Sequence, residues 1–368
     1  MRSPFVLDSR PGARLLRAVA GAMPLALLAA CDLPTEVPKS PILDLRWVVP
    51  SQSTRITVAN LLPIDGSVTI LPDSSGFAVT VAAASVTRTL SQDCAACVAA
   101  NGFTAPKPAF VASASISTAV PADISTATLT GGTLQVVVNN GYTFDPLFPN
   151  PVAGTPTGYA VIIVSSAGNV IGKDSVNGAT SKLPPGGSLS RTIPLLGTLT
   201  GSAPVVVTLS LNSPAGEPVR IDASRSISVT ATPTGLRVVN ASVAVVNRRV
   251  TSSSTIDLTD VDSTIINRVQ SGALLLTIVN PFTVTGTLTV ELTPQGGAKI
   301  TRTVALAAGS STPPPITFTG AELKSLLGRK VTISYAGAVN STAGPVSISP
   351  RQAVVVTTRL DINLQVGG

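Results

Sequence analysis

Hydrophobic and polar residues alternate with a period of two along most of the chain after residue 31, and no amphipathic helical pattern of useful length competes with them. In "TRLDINLQV", Leu360, Ile362, Leu364 and Val366 face one way while Arg359, Asp361, Asn363 and Gln365 face the other. That is the pattern of a half-buried strand. Turn signals such as "NNG", "SPAGEP", "LPPGGS" and "TPQGG" separate the runs at spacings typical of sandwiches. One short helix is predicted in "FTGAELKSLLG", where Thr319 and Glu322 make a capping box and Gly328 supplies a left-handed stop.

The alternation repeats on a larger scale. "GTLQVVVNNGYTF" from Gly132 aligns without gaps on "GALLLTIVNPFTV" from Gly272, placing Leu134 on Leu274, Asn140 on Asn280 and Tyr142 on Phe282. "RSISVT" from Arg225 matches "RQAVVV" from Arg351, each after an S-x-A-G turn at Ser213 or Ser341. A weaker echo upstream sets Asn60, Gly66 and "SVTI" against Asn280, Gly286 and "TLTV". The expected fold is therefore all-β, built of tandem immunoglobulin-like or related antiparallel β-sandwich modules. An N-terminal β-module spans 44–112, and sandwich repeats span 113–247 and 248–368.

A shared pentapeptide, "VTRTL" at Val86, "LSRTI" at Leu189 and "ITRTV" at Ile300, puts Arg88, Arg191 and Arg302 on a strand face with two aliphatic residues. A buried charge would require a partner. A strand near a sheet edge, with the Arg stem covered and its head in water, is the favoured reading. Asn140 and Asn280 read as turn residues whose side chains bond nearby backbone.

Composition agrees with strands. Of the 368 residues, 44% are hydrophobic but only 12% charged and 3% aromatic, so the cores are made of β-branched and small side chains. The net charge of +7 would suggest a polyanion partner, yet Arg2, Arg10, Arg14 and Arg17 against Asp8 place +3 of it before Cys31. No Lys/Arg cluster with interleaved aromatics tracks a phosphate backbone, so nucleic acid is not an expected partner.

The N-terminus has the layout of a secretory signal: basic residues to Arg17, an apolar stretch from Ala18 to Ala30, small residues at Ala29 and Ala30, then Cys31. That apolar stretch reaches only about 20 Å as a helix, short of a hydrocarbon core of about 30 Å. Leu28-Ala29-Ala30-Cys31 resembles the lipobox of bacterial lipoproteins. The resemblance covers only the first thirty-odd residues. It implies a signal peptide over 1–30 and a diacylglyceryl group on the Cys31 thiol, which would hold the mature chain on a membrane. Asp32 resembles an inner-membrane retention signal of enteric bacteria, and the leaflet stays open. Pro34, Pro38 and Pro41 make 31–43 an extended tether.

With Cys31 acylated, Cys94 and Cys97 in "QDCAACVAANG" are expected to form one disulfide of an exported protein. A C-x-x-C haem site needs a following His, but Val98 follows and the chain has no His. Zinc lacks its further soft ligands. The absence of His also removes every Ser-His, Cys-His and imidazole-metal arrangement. Asp257, Asp260 and Asp262 in "DLTDVDST" are the densest acidic group and the one weak calcium candidate, set against a polar connector. No cofactor is expected.

The first repeat carries an insertion that gathers Tyr142, Phe144, Leu147 and Phe148 in an apolar loop. Capping of the module's open end is the favoured reading; if exposed, the loop is the best contact surface. The sequence thus points to a lipid-anchored, extracytoplasmic envelope protein with a non-catalytic structural or binding role. Its partners are the membrane through Cys31 and an envelope protein or hydrophobic ligand. The alternatives are a carrier of lipid or another hydrophobic ligand, and a carboxylate-based hydrolase.

Overall fold

Among the residues described by the computed structural model, 41–148 and 157–367, the alternation becomes twenty-three strands and four short α-helices. Cys31 and the signal and tether residues up to 40 lie outside the described residues. The N-terminal part supplies β1 (Leu43–Thr57), β2 (Val68–Ile70), β3 (Phe77–Val79), β4 (Ala84–Thr89) and β5 (Thr104–Lys107). Helices α1 (Leu90–Asp93) and α2 (Ala95–Ala99) stand between β4 and β5.

Nine strands follow: β6 (Phe110–Thr118), β7 (Ile124–Asn140), β8 (Tyr159–Ser166), β9 (Asn169–Asn177), β10 (Ser188–Pro194), β11 (Gly197–Thr200), β12 (Val205–Ser213), β13 (Gly216–Arg220) and β14 (Ser226–Val243). Nine more complete the chain: β15 (Arg248–Asp257), β16 (Val269–Asn280), β17 (Val284–Pro294), β18 (Ile300–Leu306), β19 (Gly309–Ser311), β20 (Ile316–Thr319), β21 (Lys330–Ser341), β22 (Val346–Ile348) and β23 (Ala353–Val366). The second set also holds α3 (Ser263–Asn267) and α4 (Gly320–Leu326).

The two sets are wired alike. In the first, β6-β12-β8-β9 form one sheet, and β7 pairs with β14, β10 and β11 in the other. In the second, β15-β21-β17-β18 form one sheet, and β16 pairs with β23, β19 and β20 in the other. All of these pairings are antiparallel. Each set is a β-sandwich. Its first strand pairs with its seventh, unlike an immunoglobulin domain, where the first two strands are neighbours.

The chain closes on itself. β1 pairs with β23 from Leu43↔Val366 to Thr57↔Ala353, so the first strand completes the last sandwich. β4 fills the corresponding place beside β14 in the first sandwich. The second sandwich is therefore discontinuous, and the first is inserted after its opening strand. This corrects the expected N-terminal module at 44–112: its strands are shared out, β1 to one sandwich and β2, β3 and β4 to the β14 sheet of the other. Alternation tells a strand which face to bury but not which partner to bury it against. The expected boundary at 248 coincides with the start of β15, whereas the first repeat begins at Phe110, not 113.

The interior explains why so few aromatics suffice. Along β6, Phe110, Ala112, Ala114 and Ile116 point inward, and on β12 the inward residues are Val205, Val207, Leu209 and Leu211. Ala114 stands opposite Leu209 and Ala112 opposite Leu211, so small and large side chains alternate across the ladder. Each Leu or Val so buried contributes about 1.5–3 kcal/mol. Among the described residues, narrow gaps of about 20 Å³ and 10 Å³ lie between the sheets of the first and second sandwich.

The expected α4 forms, with Thr319 Oγ1 accepting from Glu322 N–H and Glu322 Oε2 accepting from Thr319 N–H. Gly328 follows at φ +73°, the left-handed region that a side chain would disfavour. An unanticipated capping box, Thr89 with Gln92, starts α1.

Candidate functional site

The repeat pair Asn140 and Asn280 is a structural pivot in both sandwiches. Asn140 Nδ2 donates to the carbonyls of Phe144 and Leu183 at 2.9 and 2.8 Å, and Oδ1 accepts from Tyr142 N–H. Asn280 does the same with Val284 O and Ala307 O at 2.9 Å each, and accepts from Phe282 N–H. Both side chains are buried and satisfied, which is what a turn inside a sandwich end requires.

In the first sandwich this pivot launches the long loop that the sequence presents as a cap or, if exposed, a contact surface. Among its described apolar residues, Tyr142, Phe144 and Leu147 turn inward and are buried, while Phe148, 41% exposed, reaches the surface. Tyr142 and Phe144 pack edge-on against Phe110 with centroids 6.3 and 6.2 Å away. The loop caps the sandwich, as three large rings kept from water should. Asp145 holds it shut by accepting from Leu147 N–H, Phe148 N–H and Leu183 N–H. Gly178 permits the close approach of Leu147 O, which a Cβ would block.

Beneath the loop sits a residue that sequence reasoning missed. Lys107, at the end of β5, is only 5% exposed. Its Nζ donates to the carbonyls of Asp145 and Phe148 at 3.2 Å each and lies 5.8 Å from the Phe144 ring centroid. Burial brings its ammonium down to about 8, opposed by the nearby Asp145 carboxylate. An adjoining cavity of about 170 Å³ is lined by Lys107, Phe144, Phe148, Gly216 and Pro218. An ammonium carries three donors, so one remains after the two carbonyls for an acceptor on a small ligand. The available signal was a lone Lys between two prolines in "APKPAF".

A larger groove of about 640 Å³ lies on the second sandwich, lined by Leu275, Thr277, Thr357, Arg359 and Pro313–Pro315. Strand β16 pairs with β20 over Ser271–Leu274 and with β19 over Ile278–Asn280, so Leu275, Leu276 and Thr277 have no partner on that side. The prolines between β19 and β20 have no N–H with which to continue the ladder. Arg359 at the groove is held by Asp361, which also receives Arg46.

The three pentapeptide arginines lie on topologically different strands, β4, β10 and β18, and so do not mark repeats of one module. Each is partly exposed and paired: Arg88 with Asp93 at 2.5 Å, Arg191 with Asp174 at 2.6 Å and Arg302 with Glu322 at 2.6 Å. The Arg191 and Arg302 pairs, exposed on both sides, contribute about 0.2–1 kcal/mol each, whereas Asp93 is only 5% exposed.

Cys94 and Cys97 form a disulfide across the α1–α2 junction, with Cα atoms 5.1 Å apart, and Cys97 N–H donates to Cys94 Sγ. Asp257, Asp260 and Asp262 do not gather into a calcium site. Asp257 accepts from Thr259 and lies 3.6 Å from Lys330 Nζ, while Asp262 caps α3 through Thr264 N–H. Those bonds, chiefly with the Thr259 and Thr264 side chains, hold both carboxyls below the usual carboxylate range. Among the described residues, no three His, Cys, Asp or Glu side chains converge on a metal position. No described helix is long and apolar enough to cross a membrane.

No family model and no curated protein matches this chain. Among solved structures, it is similar to a chain of naturally empty Cowpea mosaic virus particles over 83% of its own length and 95% of that chain, at 10% identity and a TM-score of 0.21. Infectious bursal disease virus VP2 is matched over 90% of this chain and 82% of that chain, at 12% identity and a TM-score of 0.17. PNGase F, a glycosylasparaginase from Flavobacterium meningosepticum, is matched over 77% and 99%, at 10% identity and a TM-score of 0.18. TM-scores this low leave the reading of this chain to its own geometry.

Proposed function

We propose that the protein is a lipid-anchored, extracytoplasmic component of a bacterial envelope with a non-catalytic structural or binding role. The observation that carries this reading is the β1–β23 ladder. The chain enters the fold at Leu43, a dozen residues after the lipobox Cys31, and its first strand is zipped to its last from Leu43↔Val366 to Thr57↔Ala353. Antiparallel ladder bonds lie perpendicular to the strands, so a pull along β1 from the tether loads them together in shear. Such a strand suits a chain held by its N-terminus. The Cys94–Cys97 disulfide supports an oxidising compartment.

Asp257, Asp262, Asp174 and Glu322 are all stabilised in their ionised form by local hydrogen bonds or arginines, the opposite of what a general acid of a hydrolase requires. The narrow gaps between the sheets weigh against a carrier that stores an acyl chain inside a sandwich. For a binding role, the Lys107 cavity and the Pro313–Pro315 groove are two places offered among the described residues.

The test is the intact mass of the mature protein extracted from native membranes, with and without reduction. The expected mass is residues 31–368 plus acyl chains, rising by two hydrogens on reduction. An unacylated mass would overturn the anchor and, with it, the mechanical role assigned to β1.

A further inference from the structure

Three buried polar atoms belong to residues that line one narrow gap in the first sandwich. Arg88 Nε, Asp93 Oδ2 and Tyr142 Oη each have no hydrogen-bond partner among the described residues. All three residues line the same gap of about 20 Å³, whose apolar walls include Ala112, Leu209 and Ile227. Arg88 and Asp93 already meet through Nη2 and Oδ1 at 2.5 Å, a bond that leaves the buried Nε–H and Oδ2 without a partner. Tyr142 is 1% exposed, so its hydroxyl cannot turn to bulk water.

Leaving such groups unmade costs about 1–3 kcal/mol each, and more for charged ones. A buried water needs a space of at least about 10–15 Å³ and two to four polar partners, and this gap meets both conditions. We propose that the gap is a binding site for one ordered water, which accepts from Arg88 Nε–H and Tyr142 O–H and donates to Asp93 Oδ2. Each of the three atoms then has a partner, and the water makes three hydrogen bonds, its second O–H lying outside the trio. An anion would face the Asp93 carboxylate, and a metal cation would face the Arg88 guanidinium. An apolar occupant would leave all three atoms unsatisfied.

The site joins three segments. Arg88 belongs to β4, Asp93 closes α1 immediately before Cys94, and Tyr142 stands two residues beyond the Asn140 pivot. The water is thus a joint between the disulfide segment and the capping loop. Burial raises the Tyr142 phenol above its ordinary range and the Asp93 charge raises it further, which places that carboxylate within electrostatic reach of the ring oxygen. The corresponding place in the second sandwich carries different side chains. Where Arg88 stands opposite Ile227, Ile56 stands opposite Val354, and an apolar pair leaves nothing to satisfy.

The experiment is a crystal structure of the full chain at a resolution where ordered waters are visible. The expected result is an isolated density peak about 2.7–3.2 Å from Arg88 Nε, Asp93 Oδ2 and Tyr142 Oη. A direct Tyr142–Asp93 hydrogen bond with no peak, or an empty void, overturns the proposal. Oxygen-17 relaxation dispersion supplies a second readout. Tyr142→Phe removes only the hydroxyl, and the water's residence time is expected to fall about tenfold for the lost bond. An unchanged residence time overturns the three-partner site.

Discussion

The two sandwiches share one wiring and differ most in the length of one connection. Between their second and third strands the first has residues 141–158 and the second only 281–283. Both connections start from the same buried asparagine with the same pattern of bonds to a carbonyl four residues on and an amide two residues on. The turn is therefore the shared frame, and the insertion is free to do something else. In the first sandwich it carries Tyr142 and Phe144 over the open end and clamps Lys107 beneath them. In the second, where Phe282 alone follows the pivot, α4 packs Leu323 and Leu326 into the core. Equal topology leaves room for unequal chemistry because a sandwich end can be closed by any element that buries its rings and pairs its backbone.

The largest expected effect separates the sandwiches altogether. Deleting residues 43–57 removes Val49 and Ile56 from the second interior and strips β23 of a partner along its length. Hydrogen exchange of β15–β23 should lose its protection while β6–β14 keep theirs. Retained protection in β15–β23 would show that β1 is not an integral strand.

Next come the pivots. Asn140→Ala and Asn280→Ala should each destabilise their own sandwich by about 2–4 kcal/mol, since carbonyls and an amide are left buried and unpaired. Asn140 also reaches Pro184 O at 3.2 Å, so its replacement should cost the more. Denaturant unfolding followed by exchange in each sandwich checks both the size and the order.

A smaller effect belongs to the first sandwich alone. Replacing Cys94 and Cys97 by Ser together should cost about 2 kcal/mol, the entropy of a very short closed loop. The check is a calorimetric scan with and without reductant, in which the second sandwich should not respond.

The last effect is one of pH. The buried Lys107 ammonium has its value lowered to about 8 from 10.5, so the folded state gives up its proton at lower pH than the unfolded chain does. Between those values the unfolded state binds more protons, and stability should rise with pH across that window. Below pH 8 the burial penalty is fully present. In Lys107→Met the rise should flatten. A parallel rise in the variant, measured as Tm against pH, would assign it to other groups.

The sequence alone determined the all-β class, the strand faces, the α4 capping box, the short disulfide and the alignment of Asn140 with Asn280. These follow from contacts of short range in the chain, or from a period of two that any half-buried strand must obey. The repeated pentapeptide carries no information about module order, because V/L/I-x-R-T alternation describes an exposed edge strand anywhere, whether β4, β10 or β18. Only the tertiary structure decided that β1 belongs with β23, at the opposite end of the chain, because alternation carries no information about partners. It alone decided that Tyr142, Phe144 and Leu147 face inward and that Lys107 lies beneath them. Whether an apolar loop covers its own end or meets another molecule depends on the space left between two sheets, and that space exists only once distant strands have met.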